Sequence, residues 1–219
     1  MVRTPMGTTR RNVLGATAAV PLLARFAETA SAADGDRYGR VSDGWVEVRW
    51  APLVREELDR LGAVVRAVAP ARLVEDAHGS AIRFPVNPVK GDPSPESPQR
   101  ARGDGGLQGG VAVRTPIGNL RLTHLTGVLE DGLASGRCTI NGLEVEHHPA
   151  FRCGLTEGRL ITEPTRDGGV MRVRMVEVPL RPTAEALEVY TATFGAPALT
   201  VDTVLAHVTA EGLYTPPRR

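Results

Sequence analysis

Glu144-Val145-Glu146-His147-His148 is the densest run of side chains able to do chemistry in this chain of 219 residues. Carboxylates and imidazoles together can bind a divalent metal. On a strand, Glu144, Glu146 and His148 would share one face at a spacing of ~6.6 Å, with His147 joining Leu143 and Val145 opposite. Three ligands strung along one strand cannot converge on one small ion, so a second strand would have to help, with His124 as its candidate. The simpler expectation is a solvated strand face turned at Pro149. No metal is therefore expected, and Glu144, Glu146, His148 and His124 are the residues a metal would have to use.

Signatures of hydrolytic chemistry are missing. Gly132-Leu133-Ala134-Ser135-Gly136 has the residue types of a nucleophile elbow without its Gly-x-Ser-x-Gly spacing. No His-Glu-x-x-His run exists, and Gly103-Asp104-Gly105-Gly106 lacks the Lys-Ser/Thr of a phosphate loop. No catalytic residue is assigned. A secreted hydrolase built on His124 or His148 with acidic neighbours is the alternative from the enzyme class. Among the phenols that could ligate iron, Tyr190 reads as a residue of a helix face, while Tyr38 and Tyr214 lie near the ends of the mature chain.

These residues must be positioned by a mainly β structure. Trp45 to Trp50 alternates as a strand. Val54, Leu58, Leu61, Val65 and Val68 recur at helical spacing, which predicts a helix over Pro52–Val68, begun by Pro52 and ended before Pro70. Ala81 to Val86 reads as an edge strand, because Pro85 cannot donate to a ladder. Pro and Gly then crowd a loop at about 87–106. Strands are expected over 111–114, 120–123, 137–146, 158–162, 170–179 and 200–209, with Asp167-Gly168-Gly169 as a hairpin turn. Thr183 should cap a second helix, Ala184 to Phe194, stopped by Gly195. The fold class is thus mainly β with two helices, an antiparallel β-sandwich or open barrel, in one domain over 33–219.

The first 32 residues have a different task. Thr9-Arg10-Arg11-Asn12-Val13-Leu14-Gly15 leads into an apolar run, Val13 to Ala24, far short of the ~20 residues that span a bilayer. Ala30-Ser31-Ala32 follows as a small-residue cleavage site. The segment resembles a twin-arginine export signal, with Arg10 and Arg11 as the paired arginines. It implies the twin-arginine translocase as a transient partner, a secreted or cell-wall-associated product, and no stable membrane span after cleavage. Arg3, Arg10, Arg11 and Arg25 against Glu28 make the signal +3, so a whole-chain charge of +1 leaves the mature part near −2. Such a balance argues against nucleic acid as a partner and against a polybasic membrane anchor. Two cysteines in an exported chain, Cys138 and Cys153, are expected to form a disulfide, which by closing ~15 residues would contribute about 3 kcal/mol.

Ile82-Arg83-Phe84-Pro85-Val86, the Gly-rich stretch from Gly106 to Val113, and Leu120-Arg121-Leu122-Thr123-His124-Leu125-Thr126-Gly127 resemble secreted β-rich domains of high-GC Gram-positive bacteria. The family they most resemble is the haem-transport-associated domain, and the resemblance covers residues 80 to 165. It implies a Phe-Pro strand, a Gly-rich return, paired strands and, in members that bind haem, a Tyr iron ligand supported by a His. The segment from Trp45 to Phe84 holds no Tyr, so no ligand residue is carried over. The function expected is an exported, non-enzymatic module for an apolar ligand or surface partner, without a cofactor. Haem binding is the alternative.

Overall fold

Alternating apolar residues force most of this chain into strands that each bury one face. The structure, a computed structural model, describes residues 39–87, 89–91, 104–128, 132–165, 169–195 and 198–216. Residues 1–38, which include the export segment with Arg10 and Arg11, lie outside the described residues, as do residues 92–103 of the Pro/Gly-rich loop. In chain order the elements are β1 (Gly39–Trp50), α1 (Pro52–Arg60), β2 (Val64–Val68), β3 (Arg72–Asp76), β4 (Gly79–Pro85), β5 (Val89–Gly91), β6 (Asp104–Gly106) and β7 (Gly110–Arg114). There follow β8 (Asn119–Val128), β9 (Leu133–Ile140), β10 (Leu143–Cys153), β11 (Arg159–Pro164), β12 (Met171–Pro182), α2 (Ala184–Phe194) and β13 (Ala206–Thr215).

The strands form one antiparallel sheet in the order β2-β7-β8-β9-β10-β12-β13-β1-β4-β3. Its two edges, β2 and β3, approach each other, so the sheet curls nearly closed into an open barrel. Val41, Val46 and Val48 of β1, Ile82 and Phe84 of β4, Val178 and Leu180 of β12 and Val208 of β13 fill the core. A bulge in β12 between Met175 and Val178 puts Glu177 at φ 59° and changes which residues face inward.

Outside the barrel, Glu47 is 9% exposed yet charged. It is held by Arg49 (Nη2 to Oε1, 2.8 Å) and Arg83 (Nη2 to Oε2, 2.6 Å). Arg49 also grips both oxygens of Asp76, at 2.8 and 2.7 Å, and Arg83 lies 4.3 Å over the Trp45 ring. This network fastens β1, β3 and β4 together.

Several expectations need correction. The helix over Pro52–Val68 stops at Arg60, and Val64–Val68 is strand β2. Gly62, at φ 58°, turns the chain there, and three β-branched valines then favour an extended ladder against β7. Ala81 to Val86 is no edge strand: β4 lies between β1 and β3, with Pro85 at its end. The stretch 137–146 is two strands around the turn at Asn141 and Gly142. The last strand begins at Ala206, because Thr200 to Thr203 closes a turn first. The disulfide is absent, since Cys138 and Cys153 are both free. Cys138 pairs with Val145 in register, eight residues before Cys153 along β10, a separation of more than ~20 Å against the ~7 Å limit of a bridge.

Candidate functional site

The inner faces of β2, β7, β8 and β9 do not pack directly on one another's far wall. Between them and the two helices lies a cavity of about 190 Å³. Val65, Val111, Val113, Leu120 and Leu122 supply its sheet side. Val54 and Leu58 of α1 close it from one helix, and Ala186, Leu187, Val189 and Tyr190 of α2 from the other. Phe151 and Trp50 complete the wall, and the indole N–H of Trp50 is buried without an acceptor. Such strand residues point inward because β7 and β8 alternate with period two. The lining is almost wholly apolar, with Glu185, Tyr190, Cys138 and Trp50 as its residues that carry polar groups.

Helix α2 is set in place at both ends. Thr183 Oγ1 accepts from Ala186 N at 3.0 Å and donates to Pro149 O at 2.7 Å, joining the helix start to β10. At the other end Gly118 of the β7–β8 turn packs so close to Thr193 that a Cβ there would sit 3.1 Å from its carbonyl oxygen. Midway, Tyr190 Oη donates to Glu57 Oε1 at 3.1 Å, and this bond ties α2 to α1. Arg60 holds the same carboxylate through Nε and Nη2, both at 2.7 Å.

Burial and the Glu57 carboxylate push the Tyr190 phenol far above its ordinary value. The Arg60 bonds, and then the Tyr190 hydroxyl, hold Glu57 below its ordinary value of 4.5. A depressed carboxylate contributes stability that is complete above the unfolded value and lost as pH falls through the folded one. Glu57→Gln is therefore expected to flatten the acid limb of a stability–pH curve below about 4.5. An acid limb of unchanged slope would place that sensitivity elsewhere. Burial also raises both thiols, Cys153 strongly, which favours their protonated form.

The residues singled out by type are not brought together. Glu144 is exposed on the outer face of β10, 3.2 Å from Arg137. Across the sheet its row continues to Thr139 and Arg121, not His124. His124 is exposed, at φ 50° in a bulge, with Nδ1 3.2 Å from Thr123 Oγ1. The side chains of Glu146 and His148 lie outside the described residues. No cluster of three metal-ligating side chains occurs among the described residues. His78 and His207 border a separate polar depression with Glu47, Arg49 and Glu177 on the outer face of β1 and β13. The sequence signal for the cavity was the valine and leucine alternation in β7 and β8. It identified strands, while the void facing them depends on where α2 comes to rest.

Fold and site together define a mainly β domain with an apolar cavity under two helices. No family model matches the chain, and no curated protein matches it. Two solved structures are similar. The C-terminal domain of HtaA from Corynebacterium glutamicum has 10% identity and a TM-score of 0.47, over 81% of this chain and 99% of that one. The heme binding protein HtaB from Corynebacterium glutamicum has 10% identity and a TM-score of 0.45, over 81% and 94%. Among the described residues no helix is long and apolar enough to cross a membrane.

Proposed function

We propose that this is a non-catalytic, exported binding domain that holds an apolar ligand between its two helices and the inner face of β2, β7, β8 and β9. The lining of the cavity carries this reading. Protein interiors are normally packed to the density of organic crystals, and an apolar void forfeits contacts that a ligand of matching character restores. The single-domain reading over 33–219 and export through Arg10 and Arg11 belong to the same proposal. Replacing both arginines with Lys should leave the precursor in the cytoplasm, and undiminished export would remove that part.

Trp50 provides the test. With Trp45 changed to Phe, Trp50 is the remaining indole of the two in the chain, and it lines the cavity. N-phenyl-1-naphthylamine should quench it saturably at one-to-one stoichiometry. A response that never saturates would end the cavity reading.

Haem is the second reading. The sequence resemblance over residues 80 to 165 raises it, and one similar solved structure is a heme binding protein. Tyr190 is the phenol on the cavity wall, so it is the Tyr that bound iron would have to use. Bound iron would need that phenol deprotonated, and burial with the Glu57 carboxylate at 3.1 Å opposes that change. As placed, Tyr190 fits a helix-to-helix hydrogen bond better than an iron ligand. A Soret shift on adding haem to the mature domain, lost in Tyr190→Phe, supports haem. Without the shift, haem is removed and the apolar-ligand reading is left standing on the Trp50 titration.

A further inference from the structure

The wall that lines the cavity on its inner side shows an unusual outer side. Direct register partners share a face, so the row Arg66, Ala112, Arg121, Thr139 and Glu144 runs across β2, β7, β8, β9 and β10 on the outside. Arg114 lies two residues along β7 and Arg137 two residues along β9, on the same face. Strand spacing of ~4.8 Å and residue repeats of ~6.6 Å place the four guanidinium groups within one patch. Arg66, Arg114, Arg121 and Arg137 are all exposed. The one described carboxylate in the patch is Glu144, beside Arg137 at 3.2 Å. Arg66, Arg114 and Arg121 have no ion-pair partner among the described residues; Arg55, Arg72 and Arg159 are also unpaired, but they are not part of this face, and Arg49, Arg60, Arg83, Arg172 and Arg181 are paired. A net charge near zero conceals this segregation.

Three large apolar side chains stand exposed at one end of the same strands. Val64 opens β2 at 50% exposure, Ile117 tips the β7–β8 turn at 64%, and Leu143 opens β10 at 75%. The Ile117 turn is built rather than loose. Thr115 Oγ1 accepts from Ile117 N at 3.3 Å and Gly118 N at 3.0 Å, and Asn141 Oδ1 accepts from Asn119 N at 2.8 Å to join this turn to the next.

We infer that the outer face of β2, β7, β8 and β9 docks the domain on an anionic lipid surface, with Arg66, Arg114 and Arg121 over the headgroups and Ile117 at the acyl boundary. Charge complementarity selects an anionic partner. The exposed apolar tips select a bilayer, because a soluble polyanion offers them nothing. Docking through this face does not depend on which ligand the cavity holds.

The test is vesicle flotation of the mature domain with phosphatidylcholine alone or mixed with phosphatidylglycerol. Binding is expected only with phosphatidylglycerol and should weaken with salt. A triple Arg66→Gln, Arg114→Gln, Arg121→Gln variant should lose roughly a hundredfold in affinity. The control pair Arg72→Gln, Arg159→Gln, exposed elsewhere, should lose far less, with thermal midpoints unchanged in both. Ile117→Ser should weaken vesicle binding without altering any binding of soluble polyphosphate. Failure to float with phosphatidylglycerol overturns the inference. So does an equal loss in the control pair, or full competition by polyphosphate with Ile117→Ser silent, which would assign the face to a soluble polyanion.

Discussion

Ala186→Phe is expected to cost about tenfold or more in affinity for an apolar ligand, with thermal stability unchanged or raised. Ala186 sits in the first turn of α2 on the cavity wall. Its backbone N–H is already used by the Thr183 cap at 3.0 Å, so the substitution leaves the helix start intact. Enlarging a side chain in a packed core normally costs 1–3 kcal/mol. Beside an open void the added ring instead gains contacts, and it takes the space a ligand would use. Each tenfold loss corresponds to about 1.4 kcal/mol of binding. Quenching of Trp50 together with a thermal melt reads both quantities. Unchanged affinity in a variant that melts normally would mean the ligand binds elsewhere.

Glu47→Ala should produce the largest loss of stability. Breaking a buried pair from one side costs 3–5 kcal/mol, because the partner charge is left uncompensated. Here the carboxylate is buried, but the arginine side chains remain 23% and 29% exposed, which lets water recover part of that cost. A loss of about 2–4 kcal/mol in urea unfolding is expected. Arg49 keeps Asp76, so the damage should centre on Arg83 and the β1–β4 pairing. A loss below about 1 kcal/mol would show the network to be an ordinary surface ion pair.

The sheet was legible because alternation is a local property. Val111 with Val113, Leu120 with Leu122, and Met171 with Val173 and Met175 each declare a strand and its buried face. The cap at Thr183 and the stop at Gly195 were legible for the same reason. The helix at Pro52 was overextended because Val65 and Val68 also fit a helical period, and only the left-handed turn at Gly62 separates the two readings. Strand β4 was misplaced because Pro85 argues for an edge only when it stands inside a ladder, and here it ends one.

Site legibility was poorer. Chemistry-bearing residues drew attention by type, yet Glu144 faces solvent and His124 sits in an exposed bulge. The cysteines suggested a bridge by count alone, while their distance depends on the register of β9 against β10. A cavity is a property of packing between distant elements, since α1 and α2 are more than a hundred residues apart. Its polar fastening, Tyr190 to Glu57, spans 133 positions. Nothing in either local sequence marks it.

The most direct measurement is the fluorescence titration of the Trp45→Phe mature domain with N-phenyl-1-naphthylamine, run beside its Ala186→Phe derivative. Saturable one-to-one quenching of Trp50, weakened about tenfold by Ala186→Phe, is the expected result. Quenching that never saturates, or that saturates equally in both proteins, would contradict a ligand held between the helices and the sheet.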